Sequence, residues 1–344
     1  MKKKFTFWLK ATGLGVLILV LGVLLVGWLM KALAPDVPPP GQLVDVGGFR
    51  LHIHCSGQLR GAAPVLIEAG LGVSAAYYHW IQEGLEPSTK VCSYDRAGLG
   101  FSEESHRSRE PAEIVRQLHV LLEKAGFERP FVFAGHSIAG ILIREYVSQY
   151  PDEVAGVAFL DGSNPDQTRA LGLEKIDVKA QAERGLKVYR MLVNSGLSRL
   201  YDPALAPVRP FFPETVIDEL QYTARDRQFD AVLAEFDGMG PYTNRPRPAD
   251  DFGDRPTVAI QAGEKWDPSV IPPGVDVEKV SAGWSSLQRQ NAALSTRGRY
   301  VVVKDSNHMS LVYDQKYAAQ AVGLIREVLK AQTPAQAAPV MPQR

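Results

Sequence analysis

The feature that most restricts the fold of this 344-residue chain is a run of twenty uncharged residues near its N-terminus, Ala11 to Met30. As an α-helix such a run is ~30 Å long, which matches the hydrocarbon core of a bilayer. A single apolar segment can cross a bilayer only as a helix, because the backbone must satisfy its own hydrogen bonds there. A buried helix of a soluble domain normally has a polar face, and this run has none. We therefore predict a transmembrane helix.

Basic residues flank this segment unequally, with four lysines before it and one close behind it: Lys2, Lys3, Lys4 and Lys10 against Lys31. Such a bias predicts a single-pass protein with a cytoplasmic N-terminus, an extracytoplasmic domain and the lipid bilayer bound along residues 11–30. A cleaved signal peptide is the alternative, since Ala32-Leu33-Ala34 resembles a cleavage site. The apolar run is longer than the about 7–15 residues of a signal peptide, and Pro35 would hinder cleavage, so an uncleaved anchor over residues 1–34 is favoured.

The composition of the whole chain is that of a globular protein. Acidic and basic residues balance at 38 each and 45% of all residues are hydrophobic, which excludes a disordered chain. No basic excess marks a nucleic-acid surface, so no nucleic-acid partner is expected. Residues 35–41 form a Pro-rich linker, residues 42–330 form the domain, and the Ala-, Pro- and Gln-rich residues 331–344 are predicted to be a disordered tail.

Short apolar runs alternate with helical patterns along the domain. Runs such as 64–69 and 131–134 are typical of buried strands, and residues 112–125 carry apolar side chains at helical spacing. Strands that alternate with helices favour an α/β fold, a largely parallel sheet with helices on both faces. Residues of about 165 to 250 break this rhythm with Pro-rich joints and helical segments, one of them over 214–236. We predict that they form a helical cap over one end of the sheet.

The segment FVFAGHSIAG, residues 131–140, predicts a strand, a tight turn and a helix, with Ser137 in the turn. A serine on such a strained turn needs small neighbours, which Gly135 and Ala139 provide, and its Oγ is then exposed at the carboxyl end of the sheet. The strict G-x-S-x-G pattern would have glycine at position 139, and alanine is a mild departure from it. Ser137 is therefore the candidate nucleophile.

Together with three further segments, this motif resembles the α/β-hydrolase superfamily over residues of about 42 to 330. The segments follow in the family's order: IEAGLG at 67–72, YDRAGLGFS at 94–102 and DSNH at 305–308. Two more matches, HCSG at 54–57 and CSYDRAG at 92–98, indicate an esterase-like subgroup. The resemblance implies the α/β-hydrolase fold, a mostly parallel eight-stranded sheet with helices on both faces and a helical cap insertion.

The resemblance also suggests partners for Ser137. A neutral serine needs a general base, and His308 is the candidate because it lies in a polar loop directly after a late apolar strand. Negative charge on a tetrahedral intermediate needs N–H donors, which we expect from the backbones of Leu71 and of Ile138, the residue after the nucleophile. His136 is expected to pack rather than react.

The acid that orients His308 is left open between two loops. Asp161 ends the sixth strand in LDGS, whereas Asp267 follows the seventh in GEKWD, with one residue more than the family's pattern. Glu264 lies in the same loop as Asp267. We favour Asp161, with Asp267 as the alternative. Asp95 is expected to hold its own turn.

The two cysteines, Cys55 and Cys92, fall on the second and fourth strands, which are neighbours in this fold. Outside the cytoplasm they could form a disulfide, and the alternative is two buried thiols. No metal-ligand spacing occurs in the sequence, so we expect no metal and no other cofactor.

A serine at the nucleophile position predicts acyl transfer through an acyl-enzyme. The favoured function is that of a membrane-anchored serine carboxylesterase acting on a small-molecule ester with an apolar acyl group. The alternative is a serine hydrolase of another acyl bond, such as an aminopeptidase, thioesterase or acyltransferase. A non-catalytic ligand-binding protein of the same fold is a third hypothesis.

Overall fold

The structure, a computed structural model, describes residues 2–243, 250–268, 271–272 and 274–332. Eight strands form a single sheet: β1 Gln42–Asp45, β2 Arg50–Ser56, β3 Val65–Glu68, β4 Val91–Tyr94, β5 Phe131–His136, β6 Val154–Leu160, β7 Thr257–Ala262 and β8 Gly298–Val303. Their order in the sheet is β1-β2-β4-β3-β5-β6-β7-β8. Only β2 pairs in the antiparallel sense, with β1 and β4, so the predicted mostly parallel eight-stranded sheet is confirmed.

Helices cover both faces of this sheet. Their bounds are α1 Lys2–Ala32, α2 His79–Leu85, α3 Pro111–Lys124, α4 Ala139–Gln149, α5 Gln167–Ala170, α6 Val178–Asn194, α7 Glu214–Thr223, α8 Asp226–Thr243, α9 Val277–Ala292, α10 Ser310–Tyr313 and α11 Gln315–Ala331. One sheet face packs against α3 and α4, and the other against α2 and α11. Successive residues of a central strand face opposite sides of the sheet, and Phe133 and Ala134 belong to two different apolar cores. Both faces of the sheet are therefore buried.

The helices α5 to α8 fill the interval between β6 and β7, where the cap was predicted. Among the residues that the structure describes there, none is in a strand. The prediction of a single helix over 214–236 is wrong. The chain leaves the helical conformation at Ala224, with ψ of 85°, and a second helix, α8, then extends to Thr243. Of the expected tail, residues 333–344 lie outside the described residues.

Helix α9, between β7 and β8, was not predicted from the sequence. The carboxylate of Asp276 begins it by accepting hydrogen bonds from the N–H groups of Glu278 and Lys279. Its buried side chains Val280, Trp284 and Leu287 follow at spacings of four and three residues, which is the periodicity of a helix with one apolar face. The signal was therefore present in the sequence.

The N-terminal helix α1 contains a 23-residue apolar stretch, Lys10–Ala32, with a mean hydropathy of 2.6. By length and composition it could cross a membrane, and both a membrane anchor and a signal sequence have such a helix.

On the domain, Cys55 and Cys92 are directly opposite each other on β2 and β4 and form a disulfide.

The topology decides where functional side chains can meet. The strands β3, β5, β6, β7 and β8 are parallel, so their carboxyl ends lie along one edge of the sheet. The loops that follow them carry Leu71, Ser137, Asp161, Asp267 and His308. In open α/β sheets this edge is where ligands bind.

Candidate active site

Ser137 lies in the turn between β5 and α4 with φ of 56°, a left-handed conformation that a side chain rarely adopts. The turn closes tightly because its neighbours are small. A Cβ on Gly135 would clash with the Ile143 side chain, and one on Gly140 would clash with the backbone of Ser163. Backbone strain at a partly exposed serine is a typical sign of a functional site.

His308 lies in the loop after β8, and its Nδ1 is 2.6 Å from Oδ2 of Asp161. The other oxygen of Asp161 accepts hydrogen bonds from the indole N–H of Trp284, at 2.8 Å, and from the backbone N–H of Ala262, at 3.1 Å. Asp161 is 1% exposed, so these contacts fix the position of its carboxylate and with it the orientation of the imidazole. Such an arrangement leaves Nε2 of His308 for proton transfer.

Of the sequence-derived acid candidates, the structure brings Asp161 to His308. Asp161 itself has φ of 49°, so the backbone of the turn after β6 is constrained at the residue that carries the carboxylate. Asp267 and Glu264 lie on the loop after β7, and both are exposed. The catalytic role of the acid stays a prediction, and the geometry favours Asp161 for it.

Aromatic rings surround His308. The rings of His136, Trp266 and Trp284 have centroids 4.6, 5.1 and 5.9 Å from the centroid of the His308 ring. Trp266 is the residue by which the loop after β7 exceeds the family's usual pattern, and here it packs against the candidate base. The two tryptophans were missed from the sequence, although Trp284 lies on the apolar face of α9.

The loop after β3 passes directly against the serine turn. A Cβ on Gly70 would be 3.0 Å from Nδ1 of His136 and 3.4 Å from Cβ of Ser137, so only glycine allows this approach without displacing a neighbour. Among the described residues, none accepts a hydrogen bond from the backbone N–H of Leu71 or of Ile138. The role of these two N–H groups as the oxyanion hole stays a prediction.

His136 does more than pack. The hydroxyl of Tyr78 accepts a hydrogen bond from the Gly70 N–H at 2.7 Å and is 2.9 Å from Nδ1 of His136, whose Nε2 is 2.9 Å from the carbonyl oxygen of His308. Burial, with the charge of His308 second, holds the pKa of His136 well below its usual value. The neutral ring thus accepts from Tyr78 at Nδ1 and donates to His308 at Nε2. This bridge joins the Gly70 loop to the His308 loop.

A buried charge cluster supports the Gly70 loop from the other side. The Arg96 guanidinium donates to the carbonyl oxygens of Ala69 and Gly70, at 2.8 and 2.7 Å, and to the carboxylates of Glu68 and Glu235. Glu235 belongs to cap helix α8, is 0% exposed and also accepts from the backbone N–H of Gly72 at 3.2 Å. Burial opposes its ionisation, but Arg96 outweighs that cost and the pKa of Glu235 is lowered.

Asp95, next to Arg96, holds its own turn, as expected from the sequence. It accepts hydrogen bonds from the backbone N–H groups of Ala75 and Phe101, at 2.7 and 3.1 Å, and lies 2.8 Å from Nδ1 of His52. Burial disfavours protonation of His52, yet the hydrogen bond and charge of Asp95 outweigh it and raise the pKa of His52.

Known proteins with related sequences cover part of the chain. Residues 63–208 match a family model described as the alpha/beta hydrolase fold. The uncharacterized protein YbdG of Bacillus subtilis is 26% identical over 213 residues, which cover 59% of this chain and 62% of that protein. The chain spans less than two thirds of the length of the curated relatives that it matches first.

Solved structures with the same architecture cover most of the chain. A thermophilic esterase from Thermogutta terrifontis, with malate bound, has a TM-score of 0.55 at 19% identity, covering 84% of this chain and 99% of its own. The enol-lactonase from Burkholderia xenovorans LB400 has a TM-score of 0.55 at 16% identity, covering 84% of this chain and 100% of its own. At these identities the likeness concerns the fold. The family match and the sheet topology together show that this chain has the α/β-hydrolase fold.

Proposed function

We propose that this chain is a membrane-anchored serine hydrolase that cleaves a carboxylic ester with an apolar acyl group. Ser137 is the nucleophile, His308 the general base and Asp161 the acid that orients His308. The backbone N–H groups of Leu71 and Ile138 form the oxyanion hole. Helix α1 is the anchor, with the domain on the extracytoplasmic side.

The observation that carries this proposal is the 2.6 Å contact between Asp161 and His308, at the same edge of the sheet as a serine held in a left-handed turn. A buried carboxylate stabilises the imidazolium that forms when His308 takes the Ser137 proton, which makes the serine oxygen nucleophilic. The uncharged helix and the excess of lysines before it support the anchor.

The reaction proceeds in two halves. Oγ of Ser137 attacks the ester carbonyl carbon while His308 Nε2 takes its proton, and the carbonyl oxygen becomes an oxyanion that the Leu71 and Ile138 N–H groups stabilise. His308 then gives the proton to the leaving alcohol, which leaves an acyl-enzyme. Water, deprotonated by His308, then attacks the acyl carbon. The bond to Ser137 Oγ breaks, His308 returns the proton to Oγ, and the acid is released. Each oxyanion donor typically contributes about 10²–10³-fold to kcat.

Labelling with a fluorophosphonate probe tests the nucleophile. We expect the full chain in detergent to be labelled, the Ser137→Ala variant to lose the label and the Ser286→Ala variant to keep it, because Ser286 is an exposed serine on α9. A wild-type chain that the probe does not label would contradict every serine-hydrolase assignment.

A substrate panel tests the bond that is cleaved. We expect a higher kcat/KM on p-nitrophenyl esters of medium acyl length than on aminoacyl anilides or acyl thioesters. A preference for an anilide or a thioester would keep Ser137 as nucleophile and replace the carboxylesterase assignment by hydrolysis of that bond.

A further inference from the structure

The cap carries large apolar side chains that the described part of the chain leaves uncovered. Val188 and Met191 on α6 are 56% and 63% exposed, and Leu200 and Tyr201, which follow the turn after α6, are 50% and 68% exposed. Exposed apolar residues grouped in one segment indicate an interaction site. We refer to Val188, Met191, Leu200 and Tyr201 as the cap surface.

Helix α6 has two distinct faces. On the inner face, Leu186 packs in an apolar cluster that also contains Leu71 of the oxyanion loop and Phe236 of α8. Val188 and Met191 lie on the opposite face, because residues about half a helical turn apart point in opposite directions. Ser195, four residues after Met191, continues this outer face at the end of the helix.

The anchor helix meets the cap at the end of this outer face. A Cβ on Gly27 of α1 would be 2.9 Å from the carbonyl oxygen of Ser195, and a Cβ on Gly196 would clash with the Gly27 backbone. Nζ of Lys31 donates to the carbonyl oxygen of Asn194 at 3.3 Å. Two glycines therefore let the backbones of α1 and of the cap touch, as small residues do where helices pack inside membranes.

The contact fixes the depth of the cap relative to the anchor. Gly27 belongs to the uncharged run, and Lys31 lies about 6 Å further along the helix axis at its end. The end of α6 is thus level with the last turn of the anchor, where acyl chains give way to headgroups. Tyrosine favours this zone, and the exposed Arg184 of α6 suits an anionic headgroup, whereas Lys187 pairs with Glu183 at 2.8 Å.

We propose that the cap surface lies in the extracytoplasmic leaflet of the bilayer beside the anchor, so that α6 separates the leaflet from the oxyanion loop. This rests on the anchor of the proposed function. Since a helix with its side chains is about 10 Å thick, an amphiphilic ester dissolved in that leaflet would be within roughly one helix diameter of the site. The substrate class is accordingly esters that partition into membranes.

Depth-dependent quenching in nanodiscs tests this placement. Single cysteines are introduced into the full chain by Met191→Cys, Leu200→Cys, Trp28→Cys and Leu59→Cys, and are labelled with an environment-sensitive fluorophore while Cys55 and Cys92 stay paired. The nanodiscs contain phosphatidylcholine and phosphatidylglycerol, with or without a lipid that bears a nitroxide near the glycerol. Leu59 is the matched control, because it is 45% exposed and precedes β3, at the opposite edge of the sheet from the cap.

We expect the labels at positions 191 and 200 to lose fluorescence to the nitroxide lipid nearly as strongly as the label at 28, and the label at 59 to lose none. If the label at 28 is not quenched, the anchor itself is wrong. If the label at 28 is quenched and the labels at 191 and 200 behave like the label at 59, the cap surface does not contact lipid, whether it is solvated or covered by another protein. That result overturns this inference and leaves the anchor in place. Fluorophosphonate labelling of each variant verifies that the domain is folded.

Discussion

At the scale of single residues, the site depends on which carboxylate reaches His308. Asp161 and Asp267 both follow parallel strands that end at one edge of the sheet, so topology alone admits either. Burial separates them: Asp161 is enclosed and receives hydrogen bonds from Trp284 and Ala262, whereas Asp267 is exposed. A fixed acid keeps the imidazole in the tautomer that can accept the serine proton.

We therefore expect Asp161→Asn to lower kcat on a p-nitrophenyl ester by about 10⁴-fold, because the amide favours the wrong histidine tautomer. Asp267→Asn, the matched control, should change kcat little. Steady-state kinetics on both variants, with circular dichroism to verify folding, is the measurement. Equal and mild losses in the two variants would remove Asp161 from its assigned role.

Glu235 offers a second prediction at this scale, since it is a fully buried acid that ties the cap to the Gly70 loop through Arg96. Glu235→Gln leaves part of the Arg96 charge unpaired, and removing one partner of a buried pair typically costs about 3–5 kcal/mol. We expect a loss of that order in the free energy of unfolding, and a lower kcat because the oxyanion loop loses support.

The matched control is Asp237→Asn, in which an exposed pair with Lys179 is broken and the stability should change by about 0–1 kcal/mol. Urea unfolding of the two variants in detergent is the measurement. A Glu235→Gln protein as stable as the wild type would mean that the cluster does not hold the cap in place.

At the scale of elements, the loops of the sheet edge act together because Tyr78 and His136 join them. The bridge works only with a neutral His136, since Nδ1 must accept from the Tyr78 hydroxyl while Nε2 donates to the His308 carbonyl. Burial lowers the pKa of His136 in the folded chain, whereas in the unfolded chain it returns to about 6.5.

This pKa difference predicts a loss of stability in mild acid. As the pH falls below about 6.5, the unfolded chain binds a proton at His136 and the folded chain does not. The free energy of unfolding therefore falls by up to ~1.4 kcal/mol per pH unit, until the pH reaches the pKa of His136 in the folded chain. His136→Gln removes this titration, and its free energy of unfolding should change less between about pH 7 and pH 5.

Urea unfolding across that pH interval checks this expectation, with His106→Gln, a change at an exposed histidine, as the control that should follow the wild type. An unchanged pH dependence in His136→Gln would show that another group titrates there. The anchor is kept in the same detergent throughout, so that only the domain unfolds.

How far the elements could be predicted depended on how local their signals are. The turn around Ser137, the loop of Leu71 and the strand before His308 have composition and spacing of their own, and they were placed correctly along the chain. The Arg96–Glu235 pair is 139 residues apart in sequence, and no periodicity says which acid of the cap faces the sheet. The choice between Asp161 and Asp267 likewise required the position of α9, which supplies Trp284.

At the scale of the whole molecule, the zero net charge is the sum of two unlike parts. Residues 1–31 carry five lysines and no acid, so the remainder has 33 basic against 38 acidic residues and a net charge of −5. A basic stub before an apolar helix is what the proposed topology requires, whereas the net charge of a long domain after it has little influence on orientation.

The two cysteines test the topology independently of the lysines. Cys55 and Cys92 are the chain's only cysteines, and the structure pairs them. Disulfides persist outside the cytoplasm and are kept reduced within it, so the pairing state in cells indicates the compartment of the domain. Cells expressing the full chain are quenched in acid, and the denatured protein is treated with a maleimide of high mass before and after reduction.

We expect no mass shift before reduction and two added tags after it, with a Cys55→Ser variant showing one tag in both samples. Two tags on the unreduced wild-type chain would place the domain in the reducing compartment, because both thiols would then have been free in the cell. That result would reverse the proposed orientation and, with it, the leaflet assigned to the cap surface, while the contacts around Ser137, His308 and Asp161 would be unaffected.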